Sequence, residues 1–281
     1  MTFIKKDMKY YKYLFFLFSM MILSSCAEKL TISKHASETA QNLRVLCYNI
    51  HHCNPPSTPG KIDIDAIAKV IKAQKPDLVS LQEVDVNTIR SGNINQASLL
   101  AEKLQMNFFF AKAIDHDGGQ YGVAILSKYP ITEQVIHRLT TQAGTKGEPR
   151  VLATVLVNLP GGKKVRFGAT HLDAQKEDTN RLLQMKDIND LTQLEKLPFI
   201  IAGDLNAMPG SAPINLFDKQ FTRTCTNCEF TIPVINPKKA IDFIGFNKMN
   251  QIEVISHQVI PERYASDHLP IFSVLKLKDS K

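Results

Sequence analysis

Apolar positions along this chain recur in two periods, one helical and one extended. Ile64, Ile67, Val70 and Ile71 fall at helical spacing and predict a helix over 63–74. Asp63 is placed to cap it and Pro76 to stop it. A second helix is predicted over 95–104 with Leu99, Leu100 and Leu104 inward, and the longest over 177–195, with Leu182, Met185, Ile188 and Leu191 on one stripe. Elsewhere short apolar runs end in turn signals and read as strands. They cover 44–49, 77–82, 107–112, 122–127, 199–203, 241–246, 252–258 and 271–277, with 107–112 and 122–127 lying around a Gly118-Gly119 turn. A hairpin of 150–159 and 163–170 crosses Pro160-Gly161-Gly162. Many strands with few helices predict a sheet-rich, layered α/β domain. No interior linker or repeat divides it, so residues 43–281 read as one domain.

The first 25 residues depart from this pattern. Lys5, Lys6, Lys9 and Lys12 precede an apolar run, Leu14 to Leu23, too short to span a bilayer comfortably. The run ends in Leu23-Ser24-Ser25-Cys26, which resembles a bacterial lipobox. It implies a signal peptide over 1–25, lipidation at Cys26 and a flexible tether over 26–42. Several acyl chains would then hold the protein stably at a membrane, where one alone is marginal. Ala27 after the cysteine favours, by resemblance to sorted lipoproteins, the outer membrane or cell surface over the inner membrane. The chain carries a formal charge of +7, and its leader accounts for +3, leaving a mature domain near +4. That mild excess does not imply nucleic-acid binding by bulk charge. Cys47, Cys53, Cys225 and Cys228 follow the leader; Cys47 reads as core, and both a disulfide and free thiols stay open for Cys225 and Cys228.

Several of the predicted strands run into polar residues that a core does not need. They lead to Asn49, Glu83, His171, Asp204 with Asn206, and Asp242, while Asp267 and His268 precede the last strand. Strand ends of layered α/β folds are where sites gather. Oxygen donors with few histidines favour Mg2+, with Mn2+ or Ca2+ as alternatives, over zinc. Histidines beside carboxylates supply acid, base and cationic groups. Metal-assisted phosphoester hydrolysis needs both sets. The adjacent His51 and His52 have no cysteine or carboxylate at ligand spacing in the sequence, which argues against zinc there.

The ordered motifs Tyr48-Asn49-Ile50, Leu81-Gln82-Glu83-Val84, Tyr121-Gly122, Thr170-His171-Leu172, Gly203-Asp204-Leu205-Asn206, Ile241-Asp242-Phe243 and Ser266-Asp267-His268 resemble the endonuclease/exonuclease/phosphatase superfamily. That superfamily includes deoxyribonuclease I and neutral sphingomyelinases. The resemblance spans residues 43–277 and implies a four-layer sandwich of two packed mixed β-sheets flanked by helices. It also implies Glu83 as principal metal ligand, assisted by Asn49 and Asp267. Asp204 would position or activate water, Asn206 would hold water or a phosphoryl oxygen, and His268, oriented by Asp242, would contact the phosphate opposite His171. Arg90, Arg150 and Tyr121 are candidate substrate contacts, the arginines because their planar forks suit phosphate. Asp173 is left open, as is the number of metals.

The resulting expectation is a Mg2+-dependent phosphoester hydrolase, more readily of diesters, exported and anchored as a monomer through its lipid. Lipid phosphodiesters, sugar phosphates and nucleic acid all stay open as substrates. A nuclease would carry clustered Lys and Arg with interleaved aromatics, and no such cluster stands out. A non-catalytic scaffold would have lost a ligand or the last histidine, and none is lost.

Overall fold

The computed structural model describes residues 41–249 and 251–278. The leader, Cys26 and most of the predicted tether lie outside the described residues. Twelve strands and four helices follow in order: β1 (Gln41–Asn49), α1 (Ile64–Gln74), β2 (Leu78–Val86), α2 (Gln96–Leu104), β3 (Asn107–His116), β4 (Gly119–Ser127), β5 (Ile131–Arg138), β6 (Val151–Asn158), β7 (Lys164–His171), α3 (Thr179–Thr192), β8 (Phe199–Asp204), α4 (Ala212–Gln220), β9 (Phe221–Arg223), β10 (Asp242–Asn247), β11 (Ile252–Val259) and β12 (Ile271–Leu277). β1 begins earlier than expected: Gln41 and Asn42, assigned to the tether, pair with Leu277 and Lys276 of β12.

The strands form two six-stranded sheets, β11-β12-β1-β2-β4-β3 and β5-β6-β7-β8-β10-β9. Each has one parallel pair near its centre, β1 with β2 and β7 with β8, and antiparallel pairs elsewhere. The inner faces pack together through Val45, Cys47, Ile125, Val155, Phe167, Ile200 and Ile244, all essentially without exposure. The helices cover the outer faces: Ile67, Ile71 and Leu100 seal the first sheet, and Met185, Ile188, Ile214 and Phe217 the second. This is the four-layer architecture expected. Burial on both faces explains why β2, β6, β8 and β10 read as continuous apolar runs rather than alternating ones.

The caps follow the sequence. Asp63 accepts from the Ala66 amide at 3.0 Å, and Asn95 does the same for Ser98 at 3.0 Å. The expected stripe of α3 is only partly correct. Its buried face carries Arg181, Gln184, Met185, Ile188 and Thr192, while Leu191 is 41% exposed. The helix is set by polar anchoring: Arg181 donates to the carbonyls of Asp173 and Lys176 at 2.9 and 3.2 Å and to Asp178 at 2.6 Å. Three elements carried no legible pattern, the largely exposed edge strand β5, the short helix α4 and the three-residue strand β9. Cys225 and Cys228 form a disulfide, and Cys47 and Cys53 are buried free thiols. Among the described residues no helix is long and apolar enough to cross a membrane.

Candidate active site

Strand register assembles the site. Asp204 ends β8, the strand between β7 and β10, and its register partners are His171 on one side and Asp242 on the other. The neighbouring Gly203 is required by space, because a Cβ there would lie 2.2 Å from the Thr170 carbonyl oxygen. From the other sheet, Asn49 at the end of β1 pairs with Gln82 of β2, which brings it beside Glu83. Glu83 itself stands in a register shift between Leu81 and Val84, with φ at 58°. A bulge of this kind re-aims a side chain, here a carboxylate in an otherwise buried strand.

The Asp204 carboxylate is the hub. Its Oδ1 accepts from the Asn206 amide at 2.8 Å and its Oδ2 from Asn49 Nδ2 at 3.1 Å. The ring nitrogens His171 Nε2 and His268 Nε2 stand 3.5 and 3.8 Å from the same Oδ2. Burial, and after it the nearby Asp242, raises the Asp204 pKa, so this carboxylate binds a proton more readily than an ordinary aspartate.

The two histidines are held in opposite states. Burial alone would disfavour charge on His268, but the Asp242 carboxylate bonded to its Nδ1 at 2.9 Å lifts its pKa to about 10. Thr231, whose hydroxyl donates to Asp242 Oδ2, fixes that carboxylate in turn. His171 is pushed well below the usual range by burial and then by Arg150. Its Nε2 meets Asn206 Nδ2 at 3.0 Å and its Nδ1 meets Arg150 at 3.3 Å. The Asn206 amide nitrogen also donates to the Leu172 carbonyl at 3.0 Å. Donors facing both ring nitrogens oppose the doubly protonated cation, and the neutral ring accepts from one of them.

Glu83 anchors the candidate metal side. Burial would raise the Glu83 pKa, but His52, His171 and Asn49 outweigh it and hold the carboxyl well below its ordinary value. Asn49 Nδ2 reaches Glu83 Oε1 at 3.0 Å, so the amide bridges Glu83 and Asp204. Asp267 is half-buried immediately before His268, with its carboxylate 3.4 Å from the Ser266 hydroxyl. Asn49 turns Nδ2 toward the carboxylates of Glu83 and Asp204 and Oδ1 toward the His51 amide, so the ionised Glu83 is the hard oxygen donor in view here.

The candidate substrate contacts divide. Arg150 is buried, pairs with Glu148 at 2.9 Å beside His171, and has an Nε with no partner. Tyr121 is buried; burial and then Glu83 raise its pKa, so it keeps its phenolic proton. Arg90 makes two bonds to Asp85, at 2.7 and 2.9 Å, and its guanidinium lies 5.6 Å from the Tyr121 ring centroid. Asp85 therefore holds this arginine in place beside Tyr121. Asp173 is taken up structurally, accepting from the Glu148 amide and from Asn180 at 3.2 Å each. Two partners were not legible from sequence: Thr231, which sits in no motif, and the pairing of His52 with Glu83, whose nitrogen and oxygen stand 3.8 Å apart.

Comparison with known proteins agrees with this fold. The model of the endonuclease/exonuclease/phosphatase family matches residues 46–278.

The chain belongs to the endonuclease/exonuclease/phosphatase family.

The family comprises enzymes that cleave phosphoester bonds. Among its curated relatives, the uncharacterized protein YbhP of Escherichia coli K12 is 24% identical over 250 residues, covering 84% of this chain and 97% of YbhP. A family structure from Beutenbergia cavernae aligns with a TM-score of 0.68 at 25% identity, over 85% of this chain and 72% of that one. The mannosyl-6-phosphatase Bt3783 of Bacteroides thetaiotaomicron has a TM-score of 0.68 at 18% identity, over 83% of this chain and 99% of that one, a likeness of fold.

Proposed function

We propose that this family member is a divalent-metal-dependent phosphodiesterase working by direct attack of water on phosphorus. The observation that carries the reading is the Asp204 hub, one carboxylate oxygen within 3.8 Å of Asn49, His171 and His268 nitrogens. Asp204, with its raised pKa, takes a proton from the attacking water as the new P–O bond forms and the bond to the leaving oxygen breaks. His268, held cationic by Asp242, binds a non-bridging phosphoryl oxygen and offsets the charge that develops there. Asn206 and the neutral His171 orient the opposite side. A hard ion bound by Glu83, Asn49 and Asp267 would supply further charge neutralisation and acidify water.

The charge count favours a diester. Arg90 and Arg150 are already matched by Asp85 and Glu148, so the site offers little to balance the second negative charge of a monoester. The lipobox-like leader supports a place at a membrane surface, held through Cys26. Fatty-acid labelling that survives Cys26→Ser would remove that part of the reading.

The deciding experiment compares bis(p-nitrophenyl) phosphate with p-nitrophenyl phosphate as substrates of the full chain. Plasmid DNA, a sphingolipid diester and a sugar phosphate follow, with His268→Ala as the blank. Diester turnover that disappears with EDTA, returns with Mg2+ and is absent in the blank is expected. Faster monoester turnover would overturn the diester assignment, and turnover unaffected by EDTA would overturn the metal dependence.

A further inference from the structure

His51, His52 and Glu83 each present one ligand atom, and these atoms all lie within 4.8 Å of one another. The sequence gives no hint of this, because Glu83 lies far along the chain and arrives through the bulge of β2.

The two rings are prepared for a metal. His51 Nδ1 lies 2.8 Å from the carbonyl oxygen of Asn54, which can only accept. The proton is thereby fixed on Nδ1 and Nε2 is left with a bare lone pair. Metal-binding histidines are oriented in this way by a carbonyl at the far nitrogen. His52 Nδ1 is buried with no hydrogen-bond partner and faces Glu83 Oε2 at 3.8 Å. That distance is too long for a hydrogen bond. It is close to the separation of roughly 3.4 Å between two ligands bound at about 2.0–2.2 Å to one tetrahedral ion. A buried nitrogen left unpartnered opposite a carboxylate oxygen calls for a group between them.

The backbone is committed to the same arrangement. His51, His52 and Cys53 have φ of 44°, 41° and 58°, three successive non-glycine residues in left-handed conformation. Such residues cost on the order of 1–3 kcal/mol each. The turn is held by the Cys53 and Asn54 amides, each donating at 2.8 Å, and by Gln96 Nε2, which donates to the His52 carbonyl at 2.6 Å. Asn49 Oδ1 accepts the His51 amide at 3.1 Å, linking the turn to the catalytic cluster.

We propose that His51, His52 and Glu83 form a second metal position, specific for a borderline divalent ion, Zn2+ foremost, beside the hard-ion position. Two imidazoles and one carboxylate are a three-ligand zinc set that leaves a fourth position open. Glu83 is the shared residue, its Oε1 facing Asn49 and its Oε2 facing His52. Imidazole nitrogens favour Zn2+ over Mg2+, so the two positions select different ions.

The test is metal binding by the full chain, stripped of metal and titrated with Zn2+ against a chromogenic chelator in millimolar Mg2+. One tightly held Zn2+ per chain is expected. His51→Asn and His52→Asn should each weaken it by at least about tenfold, and asparagine tolerates the left-handed backbone, so the turn is kept. Thermal unfolding of the metal-free variants reports the fold. X-ray absorption of the Zn2+-loaded wild type should show two imidazole nitrogens. An all-oxygen shell, or Zn2+ affinities within about twofold of wild type in both folded variants, overturns the proposal. Hydrolysis does not enter these readouts, so their failure leaves the phosphodiesterase reading intact.

Discussion

His268 and Asp242 are joined at 2.9 Å between Nδ1 and Oδ2, one residue from the loop before β12 and the other from the start of β10. Burial opposes a charged imidazole, yet this bond lifts the His268 pKa to about 10 against an ordinary 6.5. Asp242→Asn removes the charge that sustains it. We expect kcat to fall about 10²–10⁴-fold, the usual range for a positioned acid–base group. An NMR titration should show the His268 pKa dropping. A folded-state pKa above the unfolded one contributes stability that is complete below about 6.5 and is lost as pH rises through about 10. That alkaline loss should be missing from Asp242→Asn, and its persistence would assign the shift elsewhere.

Asn206 holds the neutral ring of His171, with Nδ2 at 3.0 Å from Nε2 and at 3.0 Å from the Leu172 carbonyl. Asn206→Asp replaces that donor with an acceptor and places a second carboxylate beside Asp204. Activity should fall by about two orders of magnitude or more. The His171 pKa should rise, because an acceptor at Nε2 favours its protonated form. Steady-state kinetics with imidazole NMR would expose an unchanged ring, the result that contradicts this account.

Gly203→Ala tests the packing that brings β7 and β8 together. The new methyl would meet the Thr170 carbonyl oxygen at 2.2 Å, far inside contact distance, and backbone cannot move aside as a side chain can. A loss of about 1–3 kcal/mol or more is expected, read as a lower midpoint in urea unfolding. Stability equal to wild type would mean that the two strands can separate at no cost.

His257 links the two sheets. Its Nδ1 lies 2.8 Å from the Thr224 hydroxyl, just beyond β9, and 3.0 Å from the Ser273 hydroxyl of β12. Burial lowers its pKa from 6.5 to about 4. The unfolded chain therefore takes up this proton first as pH falls. The linked stability is present above about 6.5 and is lost as pH drops through about 4. His257→Gln should flatten the stability profile over that window while leaving the alkaline side unchanged. Chemical unfolding at several pH values measures both slopes.

The helix start at Asp63 could be read directly, because a cap depends on a neighbour three residues away. Most strands were equally legible as apolar runs, and the order of polar residues at their ends pointed to the family that the chain belongs to. α3 was read less well. Its inward face was read as Leu182, Met185, Ile188 and Leu191, but Arg181 and Gln184 are buried as well because the loop leading into the helix satisfies them. β5 lies at a sheet edge and is largely exposed, so it left no apolar period in the sequence.

The pairing of two sheets came from the family resemblance. By itself the sequence determined most of the strands, the cap at Asp63 and the placing of Asn49, Glu83, His171, Asp204, Asn206, Asp242 and His268 at or near strand ends, since local pattern suffices for these. Tertiary structure alone decided their states and pairings. It set His171 and Asp242 on either side of Asp204 by strand register, turned Glu83 through a bulge toward His52, and drew Arg90 to Asp85. It also made one histidine cationic and the other neutral. The physical reason is that a pKa or a ligand set depends on burial and on charges a few ångströms away, and those neighbours come from remote parts of the chain.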